Sequence, residues 1–150
     1  MEYVVHCIFS SNMCYPSEAT SKEKAMSKQK ETKTNAMREI EAAGVPFESH
    51  LFPCEKALSG VEVANLLGQD PDQTFKTLVT VAKSGEHYVF MVPVAEELDL
   101  KKAATAVGEK AVSMLKSKEL LPLTGYVHGG CSPVGMKKLF TTTIDETAQL

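Results

Sequence analysis

No run of this sequence is apolar enough to cross a bilayer: the longest, near Val4, Leu78 and Phe90, last only a few residues, against the ~20 a spanning helix requires. Basic charge is not in excess either. Sixteen Lys+Arg face 19 Asp+Glu for a net charge of -3 and a pI near 5.8, which excludes a broad basic surface for duplex nucleic acid and leaves room for a local basic site. Paired cysteines are missing too: Cys7, Cys14, Cys54 and Cys131 lie 7, 40 and 77 positions apart, with no CxxC pair. With no signal-peptide pattern, they read as reduced thiols in a cytoplasmic protein. His6, His50, His87 and His128 stand singly, so no structural metal is expected. What remains is an ordinary globular composition, 43% hydrophobic and 23% charged over 150 residues with a mean hydropathy of -0.11. That is enough chain for one domain without covalent staples.

The first 34 residues differ from the rest. Residues 21–34 are rich in Lys, Glu, Ser and Thr with almost no apolar stripe, and read as a flexible extension; residues 2–9 are β-branched enough for a strand. From Asn35 onward helical and extended segments alternate. Met37, Ile40 and Ala43 recur at helical spacing before the stop at Gly44 and Pro46, and residues 47–52 read as a short strand. Ser59-Gly60-Val61-Glu62 has the S-x-x-E form of a capping box, opening a two-turn helix that Gly68 ends. Residues 75–83 and 87–94, rich in Val, Phe, Tyr and Thr, predict a hairpin around Ser84-Gly85-Glu86. Asp99 introduces a helix through Leu100, Ala103, Ala104 and Val107. Residues 111–115 read as a strand, 117–121 as one helical turn ended by Pro122, and 126–128 and 139–144 as extended segments flanking a glycine-rich loop.

Two features could carry chemistry. Lys76 sits second in an apolar strand. Period-2 logic makes it either a solvated strand-start residue or, with its ammonium launched from a rigid element, a binder of an anion or hydroxyl. The loop from Gly125 to Gly135 holds four glycines and a proline among eleven residues. Bare peptide there can approach a ligand and offer N–H groups to an anion, or simply reverse the chain. It is not a nucleotide P-loop, since GxxxxGK[ST] is absent. Cys131 in that loop is a conceivable nucleophile with His128 as base, although no third group orients the pair. No G-x-S-x-G occurs.

In order along the chain stand Asp70-Pro71-Asp72-Gln73-Thr74-Phe75-Lys76-Thr77-Leu78, then Pro93-Val94 with Leu98-Asp99-Leu100-Lys101-Lys102, then Gly125-Tyr126-Val127-His128-Gly129-Gly130-Cys131-Ser132-Pro133-Val134-Gly135-Met136-Lys137-Lys138. This series resembles the YbaK/EbsC family of aminoacyl-tRNA deacylases, freestanding relatives of the editing domain inserted in bacterial prolyl-tRNA synthetases, over about residues 36–147. The resemblance implies a mixed α/β fold with a curved, barrel-like sheet flanked by short helices. It also implies cofactor-free hydrolysis of misacylated tRNA, chiefly cysteinyl-tRNA for proline. Its partners would be the tRNA acceptor end and prolyl-tRNA synthetase, with no DNA and no membrane. Lys76 then matches the family's essential lysine, Thr77 and Phe52 pocket residues, and Gly129, Gly130, Cys131, Ser132 and Pro133 the G-x-x-x-P substrate loop. The family usually has Ile at the position of Cys131 and often Tyr near that of Phe52. It also continues past residue 146 into another strand and a glycine-rich turn, so the chain is expected to lack that segment, with residues 2–9 pairing on the vacated edge. Two alternatives stay open: a weakly active or non-catalytic module that binds tRNA or a synthetase, and a thiol hydrolase that depends on Cys131.

Overall fold

The computed structural model describes residues 33–50 and 58–149. Each helix starts where a side chain can take up the free N–H groups of its first turn. Helix α1 (Asn35–Ala42) opens on Thr34, whose Oγ1 accepts the Met37 N–H at 3.2 Å while Met37 Sδ accepts the Thr34 N–H. Helix α2 (Gly60–Leu66) opens on the expected box: Ser59 Oγ accepts the Glu62 N–H, and the Glu62 carboxylate accepts the Ser59 N–H at 2.7 Å. Gly60 is needed for proximity, because a Cβ there would lie 2.7 Å from Val94 Cγ1. The start of α2 is thereby docked against Val94.

Strands β1 (Phe75–Ala82) and β2 (His87–Pro93) form the expected hairpin, in antiparallel register from Phe75 opposite Pro93 to Val81 opposite His87. Helix α3 (Leu100–Ala106) follows, with Asp99 accepting the N–H groups of Lys101 and Lys102. The short β3 (Val112–Met114) pairs antiparallel with Thr80–Ala82 of β1. Helix α4 (Ser117–Thr124) and a long loop lead to β4 (Thr141–Ile144), which pairs parallel with β2. The sheet order is β3-β1-β2-β4. Because side chains alternate across a strand, the sheet buries apolar residues on both faces. Ala82, Phe90 and Val112 pack with Ala103 and Ala104 of α3, whereas Val79 and Val89 pack with Leu120 of α4, Cys131, Met136 and Phe140.

Several expectations need correction. Among the described residues the sheet is open, with β3 and β4 as its edges, and does not close into a barrel. Residues 47–50 form no strand, having no ladder partner; residues 51 and 52 lie outside the described residues. Residues 126–128 are not a strand either. The Tyr126 hydroxyl donates to the Val134 carbonyl at 2.7 Å, and the Gly130 N–H bonds to the Val127 carbonyl, so these residues serve a loop. Helix α4 runs through Pro122 to Thr124. Its last turn is held by bonds that do not need the missing proline N–H: Thr124 Oγ1 donates to the Leu120 carbonyl at 2.8 Å, and the Gly125 N–H to that of Leu121. The expected pairing of residues 2–9, and most of the expected extension over residues 1–34, lie outside the described residues.

Candidate active site

Because β3 covers β1 only from Thr80 onward, the edge of β1 nearest its start has no strand beside it among the described residues. A cleft of about 510 Å³ lies there. It wraps the strand edge and so takes residues from both faces, which explains how the consecutive Lys76 and Thr77 both line it. The start of α2 at Ser59 and Gly60 forms one wall, Leu115, Ser117 and Leu120 another, and His128, Gly129 and Cys131 a third.

No carboxylate lines this cleft among the described residues. Lys76 is half-buried, and its Nζ donates to the Val94 carbonyl at 3.3 Å. No described carboxylate lies within 4.0 Å of it, so two of its three N–H bonds remain for a ligand. The loop opposite is rigidly tied. Tyr126 is anchored on Val134, and the buried Ser132 Oγ accepts the Val134 N–H at 3.2 Å. Gly135, at φ 75°, packs so closely on α1 that a Cβ would lie 2.8 Å from the Asn35 carbonyl carbon. The Gly130 N–H is taken by Val127, whereas the N–H groups of Gly129 and Cys131, both on the cleft wall, have no acceptor among the described residues.

Burial pushes the Cys131 thiol up to about 11, against a smaller opposing effect of its hydrogen bond with Thr124. Thr124 is itself fully buried and accepts the Tyr126 N–H at 3.0 Å. At neutral pH Cys131 is therefore a protonated wall residue, and a thiolate nucleophile is disfavoured.

The structure thus brings Lys76, Thr77, Gly129 and Cys131 together. Gly130, Ser132 and Pro133 are not on the cleft wall, and Phe52 lies outside the described residues. Sequence reasoning considered His128 only as a base for Cys131 and missed Ser59, Gly60 and Ser117. The cap motif of Ser59 marks a helix start, and nothing in the sequence places that start beside Lys76.

Fold and cleft together define a mixed α/β domain whose described residues offer a carbonyl or an anion an ammonium and bare peptide N–H groups. The profile of the aminoacyl-tRNA editing domain matches residues 54–149. A protein of Enterococcus faecalis (strain ATCC 700802 / V583), provisionally named Cys-tRNA(Pro)/Cys-tRNA(Cys) deacylase EbsC, is 48% identical over 123 residues, 81% of this chain and 75% of that protein. A proline–tRNA ligase of Pelobacter propionicus is 32% identical over 101 residues, which make up 65% of this chain but 18% of the ligase. A crystal structure provisionally described as a trans-editing enzyme for prolyl tRNA synthetase superposes with a TM-score of 0.57 at 32% identity, over 64% of this chain and 59% of that chain. The chain belongs to the aminoacyl-tRNA editing domain family.

Proposed function

We propose that this protein is a trans-editing aminoacyl-tRNA deacylase that hydrolyses the ester of misacylated tRNA, with cysteinyl-tRNA for proline as its foremost substrate. The family membership supports the reaction class, and the name of the E. faecalis relative supports the substrate. The observation that carries the assignment to this cleft is the meeting of Lys76 with the Gly129–Cys131 wall across a hollow that no described carboxylate lines.

An aminoacyl ester is already activated, so hydrolysis needs no covalent protein nucleophile. Water adds to the carbonyl carbon, or the cysteinyl thiol of the substrate does so and water then opens the resulting thiolactone. In either case the C–O bond to the terminal ribose breaks and the proton given up by the attacking group passes to the departing ribose oxygen. In this reading the N–H groups of Gly129 and Cys131 receive the developing oxyanion. One such donor contributes about 3–4 kcal/mol where it has been measured. The Lys76 ammonium holds the acceptor end, and a charge-assisted hydrogen bond of this kind is worth roughly 1.5–3 kcal/mol. The apolar side of the cleft, at Val79, Leu115 and Leu120, suits a small side chain such as that of cysteine or alanine.

Deacylation of a panel of charged tRNAs by the purified protein tests the reading, and cysteinyl-tRNA for proline should be cleared fastest. Binding of tRNA without single-turnover hydrolysis would favour the non-catalytic module instead. The cytoplasm and prolyl-tRNA synthetase are the compartment and partner this activity implies.

A further inference from the structure

The charged side chains around the cleft are unevenly placed. Ser117, the first residue of α4, lines the cleft, and the exposed Lys116 and Lys118 flank it. Lys118 and Leu121 are three residues apart and share one side of the helix. The Leu121 carbonyl accepts a hydrogen bond from Lys137 Nζ at 3.4 Å, which brings a third ammonium to the same helix. None of these lysines forms an ion pair among the described residues, in contrast to Lys33, which binds Glu41 at 2.7 Å. Glu119 is the one carboxylate on α4. On the far side of the hairpin, Glu96, Glu97, Asp99 and Asp145 surround a second cleft, where phosphate would be repelled.

Building on the deacylase reading, we propose that Lys116, Lys118 and Lys137 form a strip along α4 that takes the phosphate backbone of the tRNA acceptor stem. The duplex then lies along the helix and its single-stranded 3′ end enters the cleft past Ser117. An eight-residue helix is about 12 Å long, and a nucleic-acid strand carries a charge every ~3.4 Å of its axis, so the strip meets about three phosphates. A short strip of this kind also reconciles RNA binding with the net charge of -3.

The test uses an acceptor-stem RNA hairpin in direct binding titrations, together with a 3′-aminoacyl adenosine, which has no duplex, in hydrolysis. Lys116→Ala/Lys118→Ala should weaken hairpin binding about tenfold at low salt. It should also lower the slope of log affinity against log salt by nearly 2, at about 0.9 per lost phosphate contact. Hydrolysis of the aminoacyl adenosine should be unchanged. The charge-matched Lys101→Ala/Lys102→Ala, on α3, should bind the hairpin like the parent. Parental affinity and salt slope in the Lys116/Lys118 variant would overturn the strip, as would an equal loss in the α3 variant. A parent that binds the hairpin with the expected salt slope but hydrolyses neither ester refutes the deacylase reading and leaves the strip standing.

Discussion

Two clefts flank the β1–β2 hairpin, and they handle charge in opposite ways. The larger, about 510 Å³ on the open edge of β1, has among the described residues no carboxylate and a lysine bound only to a carbonyl. The smaller, about 290 Å³ beside β4, has four carboxylates and Lys102. Two of those carboxylates are already engaged. Asp99 caps α3 through the N–H groups of Lys102 and Lys101, and Asp145 accepts the Thr147 N–H at 3.0 Å and its hydroxyl at 2.8 Å. These hydrogen bonds hold both carboxyls below the usual aspartate value. The acidity of the smaller cleft thus partly belongs to turns and helix ends, whereas the larger one keeps donors without acceptors among the described residues. Unsatisfied donors on a concave wall mark a binding site better than charge density does.

The sharpest break of this comparison is Lys76→Ala. It should reduce kcat/KM for cysteinyl-tRNA by about 10- to 100-fold, the equivalent of one charge-assisted hydrogen bond. Lys102→Ala in the acidic cleft should leave deacylation unchanged. Equal effects of the two variants, measured side by side, would erase the distinction between the clefts.

Next in size is the anchoring of the substrate loop. Gly135→Ala places a Cβ within 3.0 Å of α1 backbone at φ 75°, adding about 1–3 kcal/mol of backbone strain before any clash. Gly85→Ala, at φ 90° with nothing within 4 Å, meets the strain alone. Thermal unfolding should therefore show the larger loss for Gly135, at about 2–4 °C per kcal/mol for a chain of this size. Tyr126→Phe removes the bond to Val134 and should cost about 1 kcal/mol, with KM rising more than kcat falls, because the loop loosens without losing a group that contacts substrate.

Cys131→Ala should have the smallest effect, leaving deacylation within a few-fold of the parent. A loss of activity comparable to that of Lys76→Ala would restore the thiol hydrolase. The same variant has a signature in pH. The Cys131 pKa is raised in the folded protein from its ordinary 9.0 to about 11. Its contribution to stability is therefore fully present below pH 9 and is lost as pH rises through about 11. The stability difference between parent and variant, from denaturant unfolding, should narrow across that window and stay flat below it.

Much of the fold was legible in the sequence because its signals are local. Ser59 and Glu62 cap each other across one turn, Asp99 caps its own helix, and the hairpin follows from β-branched runs around Gly85. The misreadings share a cause. Residues 126–128 have strand-like composition, and Pro122 is a helix breaker, yet the buried Tyr126 hydroxyl on Val134 and the Thr124 bond to Leu120 override both preferences. Those partners lie 8 and 4 residues away, and composition does not reveal them.

By itself the sequence determined the caps, the hairpin, the family resemblance and the two chemical ingredients of the site, the ammonium of Lys76 and the glycine-rich loop. Only the tertiary structure decided that they share one hollow, because β3 is too short to cover the start of β1. It alone made Cys131 an inert wall residue, because burial keeps its proton in place against the smaller opposing pull of Thr124. Covalent neighbours set turns and caps, but which donors are left without acceptors depends on which distant segments pack beside them.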